Sequence, residues 1–315
     1  MSYDDLSLPV SDAELDDYRE AVNPMRHVRC ITDFLSPVLD RRVHKIEPMH
    51  GDPLPWEKGH GITFRSGEVT LWVGINGHGK SAVTTQVAAF LALRGRRSCI
   101  ASYEMLPVMT IDRMLCQVAG GPNPTEEFTY DFFAAMRGRI WIYDRRDQSN
   151  REMLYRVIRY CAAEKKINHF WIDSLMRCVK GEDDYNGQKD FVGELCSLAK
   201  ECDIHIHLVH HSRKSHDENT PPNKFDAKGS GAISDQVDQF ISVWRNKKLE
   251  AELAAGKGDA EMPGFVLIVD KNRNGGWEGR IPLWGDLESW HFRGKSQVPW
   301  TKGYEIPKRK LERAA

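Results

Sequence analysis

"VTLWVGINGHGKSAVTTQVAAF", Val69 to Phe90, decides the fold of this 315-residue chain. An apolar, β-branched run enters a glycine-rich turn, and a helix-forming run leaves it. Within the turn, Gly74-Ile75-Asn76-Gly77-His78-Gly79-Lys80-Ser81 fits GxxxxGK[ST]. Glycines let the backbone curl so that successive N–H groups point inward at phosphate oxygens, and the helix behind aims its positive end at the same anion. Gly74, Asn76, Gly77, His78, Gly79, Lys80, Ser81 and Ala82 are the expected cradle. Lys80 is expected to reach the β- and γ-phosphates, and the Ser81 hydroxyl to sit on Mg²⁺. The expected cofactors are a nucleoside triphosphate, ATP in the first instance, and Mg²⁺.

Outward from this loop, short β-branched runs alternate with helical ones. Strands are expected at "EVTLWVG", "RSCIASY", "RIWIYD", "NHFWID", "DIHIHLVHH", "QFISVWR" and "GFVLIVDK", and helices over 80–94, 108–119, 150–166 and 187–202. This alternation predicts an α/β fold with a mostly parallel sheet and crossover helices. "GRIPLWGDLESWHFR" reads as two strands about a turn, an antiparallel finish, and "NKKLEAELAAGKGDAE" as a charged surface insertion. The expected organisation is an N-terminal linker or oligomerisation segment over 1–60, a nucleotide-binding domain over 61–295 and a basic, mobile tail over 296–315. Within the first segment, "GDPLPWEKGHG" reads as a linker and Ser11 to Glu14 as a capping box opening a helix through Ala21.

In such sheets ligands sit at the carboxyl ends of the strands, so those ends are where catalytic groups are expected. "RSCIASY" runs to Glu104, a carboxylate that could orient and deprotonate an attacking water, or merely complement a helix N-terminus. "HFWID" ends at Asp173, the expected acid for Mg²⁺. "DIHIHLVHH" ends at His211, where a polar group could sense a γ-phosphate. His205, His207 and His211 share one side of that strand. A metal site there lacks carboxylate or cysteine partners at matching spacing, so packing against flanking helices is the expected role of His205 and His207.

Composition narrows the rest. Net charge is −1 and charged residues are 28%, so no global basic field advertises nucleic acid. Seven scattered cysteines without a CxxC pair read as reduced thiols, which points to a cytoplasmic protein, of a bacterial host if phage-encoded. No signal peptide or membrane span is expected.

Five stretches in order, "GINGHGKS", "ASYEM", "FWIDSL", "VHHSRK" with "KGSGAISDQVDQ", and "DKNRNGGWEG", resemble the hexameric, RecA-like replicative DNA helicases of DnaB and phage ring type, over roughly residues 60–293. The resemblance implies a RecA-like P-loop NTPase core and an ATP-driven ring, a hexamer as the first expectation, that moves on single-stranded DNA and unwinds duplex at a fork. It implies Glu104 as the hydrolytic base and His211 as the sensor. It implies Lys271 and Arg273 as a lysine and an arginine finger inserted into the neighbouring subunit's ATP. The loops after Asp173 and His211 would face DNA, offering Arg177, Lys180, Arg213, Lys214, Lys224, Lys228 and the amide of Gly229 to phosphates. Acidic residues in both loops leave a solvated role open for each. The chain lacks a zinc element or primase-like region, so a separate primase, polymerase or loader is the expected partner. The alternative is a RecA-like recombination or regulatory ATPase that binds single-stranded DNA without unwinding; a small-molecule kinase with "DRRDQSNRE" as its lid is more distant.

Overall fold

The computed structural model describes residues 30–40, 43, 51–59, 61–144, 151–179, 184–211, 221, 231–295 and 303–308. A short helix, α1 (Leu35–Leu39), precedes a two-stranded ribbon of β1 (Asp52–Pro53) and β2 (Thr63–Phe64). The body then runs β3 (Val69–Gly74), α2 (Lys80–Leu93), β4 (Ser98–Ser102), α3 (Pro107–Ala119), α4 (Glu126–Met136), β5 (Ile140–Ile142), α5 (Arg151–Ala163), β6 (His169–Asp173), α6 (Tyr185–Cys202) and β7 (His205–His211). It closes with α7 (Gly231–Gln236), β8 (Gln239–Arg245), α8 (Lys247–Ala254), β9 (Phe265–Asn272), β10 (Gly279–Gly285) and β11 (Phe292–Arg293).

Nine strands form one sheet in the order β11-β10-β9-β8-β3-β7-β6-β4-β5. The six from β8 to β5 are parallel, and β9, β10 and β11 continue the sheet antiparallel. Both faces are covered, as parallel sheets require. Alternation along β3 divides the core: Trp72 faces α2, α3 and α4 with Val83, Val87, Leu91, Met114 and Phe132. Leu71 and Val73 face α5 and α6 with Leu154, Ile158, Phe191 and Leu195. The expected α/β class, parallel sheet and antiparallel finish are those observed.

Two expectations fail locally, and two helices went unanticipated. "GDPLPWEKGHG" is no free linker, because Leu54 and Trp56 are buried and Trp56 Nε1 donates to the Phe292 carbonyl at 3.0 Å. Two apolar side chains inside a proline-rich run, each gaining about 1.5–3 kcal/mol on burial, anchor it to the domain. Residues 303–308 of the presumed mobile tail also pack: Tyr304 N donates to Val118 O at 2.8 Å, and Gln86 Nε2 donates to its hydroxyl at 2.9 Å. α4 went unanticipated because Phe, Tyr and Thr are poor helix formers. Its start is nonetheless marked, since Thr125 Oγ1 accepts from Phe128 N and Glu126 and Glu127 fill the first turn. The "charged insertion" contains α8, capped by Asn246 and seated on buried Leu249. The expected helix over 11–21 lies outside the described residues.

Candidate nucleotide site

β3 is buried on both faces and ends at Gly74, where a Cβ would lie 2.5 Å from the Val243 carbonyl. Gly77 and Gly79 take φ of +80° and +86°, the left-handed region that a side chain disfavours. The chain can therefore turn back on itself and begin α2 at Lys80. Lys80 Nζ donates to Gly74 O at 2.9 Å and Ile75 O at 3.1 Å. Burial brings its pKa down to about 8, against the opposing pull of Asp173 and Glu104. Ala82 and Asn76 line the same cleft, an open volume of about 890 Å³.

His78 departs from its expected place. Its side chain is buried under the loop, and Nδ1 accepts from Arg245 N at 3.2 Å. Only its backbone remains for the cradle. Arg245 also donates to Gly77 O at 3.3 Å, and its guanidinium is held by Glu250. β8 thus braces the loop from behind.

The strand ends deliver the remaining groups because the strands are in register. Gly74 pairs with His211, Val209 with Asp173, and Asp173 with Ser102, two residues before Glu104. Glu104 Oε1 accepts from Ser174 Oγ at 2.6 Å and lies 2.9 Å from His211 Nε2. The His211 contact, with Ser174 and Lys80 adding to it against burial, lowers the Glu104 pKa to about 2. Asp173 is buried, which raises its pKa, while the Ser81 hydroxyl bonds to it and opposes that rise. Its Oδ1 is buried with no hydrogen-bond partner among the described residues. A hard cation needs such an oxygen beside a hydroxyl, so Ser81 and Asp173 fit a Mg²⁺ ion.

Two cleft residues were missed in the sequence. Arg113, from α3, reaches the cleft, and its guanidinium sits 5.7 Å over the ring of Trp290. Burial lowers its pKa and Asp173 opposes that. Trp290, from the turn before β11, takes φ +56° and packs against Gly79. Neither belongs to a motif; each arrives by tertiary packing alone.

Lys271 and Arg273 are not brought to this cleft. β9 runs antiparallel to β8, so Asn272 pairs with Gln239, which pairs with Thr70 near the amino end of β3. There Lys271 Nζ donates to Ser234 O at 2.8 Å and Asp235 O at 2.9 Å. Arg273 donates to Asp238 Oδ1 at 3.2 Å and Asp235 O at 2.8 Å. Asn272 between them enters a buried chain: it accepts from Gln239 Nε2, whose Oε1 accepts from Thr70 Oγ1, which lies 2.8 Å from His205 Nε2. Arg177 is exposed in the turn after β6. Lys180, Arg213, Lys214, Lys224, Lys228 and Gly229 lie outside the described residues.

The histidines, expected against flanking helices, pack on the β1–β2 ribbon and on one another. Phe64 covers His169, His205 and His207 edge-on, and Trp171 stacks on His207 at 3.5 Å. His169 Nδ1 lies 3.1 Å from His207 Nε2, and its Nε2 lies 3.0 Å from Asp52 Oδ2. Protein atoms thus meet these ring nitrogens, and among the described residues no group of three or more ligating side chains is placed to hold a metal. No helix among the described residues is long and apolar enough to cross a membrane.

Sheet order, loop and strand-end acids define a RecA-like P-loop NTPase core. The domain family described as "AAA domain" matches residues 58–217, just over half of the chain, and the chain belongs to that family. Among solved structures, it is similar to a DnaB-like replicative helicase described with its interactions with primase, at 17% identity and TM-score 0.66, covering 84% of this chain and 67% of the other. It is also similar to an isolated ATPase domain, at 16% identity and TM-score 0.68, covering 84% of this chain and 99% of that one. At such identities the likeness is one of fold. No curated protein matches the chain.

Proposed function

We propose that this chain is the motor of a ring-shaped replicative helicase, which hydrolyses ATP to move on single-stranded DNA and separate duplex at a fork. The observation that carries this reading is the separation of its charges: Lys80, Glu104, Asp173 and His211 share one cleft, while Lys271 and Arg273 stand at the other end of the same strands. The cleft holds Arg113 but, among the described residues, neither Lys271 nor Arg273, and on this reading a neighbour's pair completes it. The likeness in fold to a solved DnaB-like replicative helicase supports the same reading.

Bound Mg²⁺, held through Ser81 and Asp173, would offset charge on the phosphates. Lys80 exchanges its two loop carbonyls for phosphate oxygens. Arg273, with Lys271 beside it, stabilises charge that builds on the γ-phosphoryl as it leaves. Glu104 is weakly basic while His211 and Ser174 hold it. A γ-phosphate that draws His211 away frees Glu104 to accept a proton from water, and phosphate loss restores the pair. His211 also begins the loop expected to meet DNA, so the same exchange reports nucleotide state to that loop.

Strand displacement on a forked duplex with MgATP tests the proposal, with Lys80→Ala as the blank. Unwinding that needs ATP and a single-stranded tail is the expected result. Hydrolysis stimulated by single-stranded DNA without unwinding, with and without a loader, would favour the recombination-type ATPase instead.

A further inference from the structure

The parallel strands have two rims, and only the carboxyl rim carries the cleft. At the amino rim of β4, β5 and β6, three turns meet: 94–97, 137–139 and 164–166. They are pinned together by backbone and side chain. Ser98 N donates to Arg139 O at 2.7 Å, Asn168 N to Arg97 O at 2.8 Å, and Arg97 N to Asn168 Oδ1 at 2.9 Å. Arg97 Nη1 donates to Lys165 O at 3.3 Å, and Arg139 Nη1 to Ala92 O at 3.0 Å.

These turns hold seven cations, Arg94, Arg96, Arg97, Arg137, Arg139, Lys165 and Lys166, against one acid, Glu164. Arg96 is paired with Asp52 at 2.6 Å. Among the described residues, none of the other six cations has an acidic partner. Several arginines elsewhere are matched: Arg65 with Glu68, Arg159 with Glu201, Arg245 with Glu250, Arg273 with Asp238. A cavity lined by Arg137, Arg139 and Lys308 extends the cluster to the C-terminal segment. In a chain of net charge −1, this concentration is local, and a bound anion would lower its self-repulsion.

We infer that the amino rim of β4–β5–β6 is a second nucleic-acid contact, which binds the phosphate backbone of DNA outside the loops that follow β6 and β7. Three strands span about 10 Å between the outer two, and side chains widen the rim further, so several phosphates come within reach at once. Four of the six unmatched cations are arginines, whose planar fork takes phosphate oxygens two at a time. The three turns contain no large apolar side chain, the anchor an acidic protein partner would need. The inference goes beyond the helicase proposal and does not depend on it.

The test is fluorescence anisotropy of a labelled 20-base-pair duplex against the full chain over a salt series, comparing wild type with the Arg94→Ala/Arg97→Ala/Arg137→Ala variant. The variant is expected to bind about tenfold or more weakly, with a log K against log salt slope shallower by about 2–3, roughly one unit for each phosphate it no longer reaches. Its ATP hydrolysis without DNA should be unchanged, which separates this inference from any failure of the cleft assignment. An independent readout on wild-type protein is acetylation of Lys165 and Lys166, which bound duplex should suppress. Equal affinity and slope in the variant, or unprotected lysines under saturating duplex, overturns the inference. So does a variant that keeps its duplex affinity but loses binding to anionic-lipid vesicles or to a polyglutamate peptide.

Discussion

Glu104 has two hydrogen-bond neighbours, Ser174 Oγ and His211 Nε2, and both favour its ionised form. With its pKa lowered to about 2, it stays charged at every pH at which the protein works. Any stability this contributes is present above the ordinary carboxylate pKa and fades only as pH falls toward about 2. Glu104→Gln keeps the shape and removes the base. It should bind MgATP with near wild-type affinity and hydrolyse it at least about 100-fold more slowly, as read by equilibrium nucleotide binding beside single-turnover kinetics. If binding is lost along with turnover, Glu104 holds nucleotide and is no base. Glu104, Asp173 and His211 were legible because strand ends are a rule of parallel sheets. Arg113 and Trp290 were not, since an isolated arginine on a helix and a tryptophan in a late turn meet the loop only after the chain has folded.

Among the elements, the ribbon of β1 and β2 changes the reading of the histidines most. Alternation along β7 correctly put His205 and His207 on one face. It could not show that Phe64, from a stretch in which no strand is expected, would cover them. Beneath that cover, burial lowers the His205 pKa to about 3 and that of His207 well below its ordinary value. Both are neutral in the folded protein and take up protons only on unfolding. The sign follows: their contribution is intact above about pH 6.5 and is lost as pH falls below it, by about 1.4 kcal/mol per pH unit for each histidine. Urea unfolding at pH 7 and pH 5.5 should show this loss, and His207→Gln should reduce the pH dependence. An identical dependence in the variant would place the acid sensitivity elsewhere. The four expected crossover helices formed within a few residues of their predicted ends, because apolar periodicity, glycine and capping residues mark them. α4 fell through because its aromatic residues and threonine are poor helix formers that favour strands.

At the scale of the molecule, the cleft and the Lys271–Arg273 pair sit at opposite ends of the sheet. If Arg273 serves a neighbour, then Arg273→Ala and Lys80→Ala, each inactive alone, should regain activity when mixed. A hybrid interface then joins an intact finger to an intact loop. A titration of one variant into the other, followed by ATP hydrolysis, measures this; no recovery at any ratio, with assembly intact, removes the trans assignment. On that assignment the layout imposes a direction on assembly. Each subunit has a giving end and a receiving end, and a head-to-tail joint uses one end of each copy. Growth by head-to-tail addition leaves one idle cleft and one idle finger in every open chain, whatever its length. Only closure retires both, and the joint itself does not count subunits. The number in the ring is then set by the angle between successive copies, a property of the joint and not of the chemistry it completes.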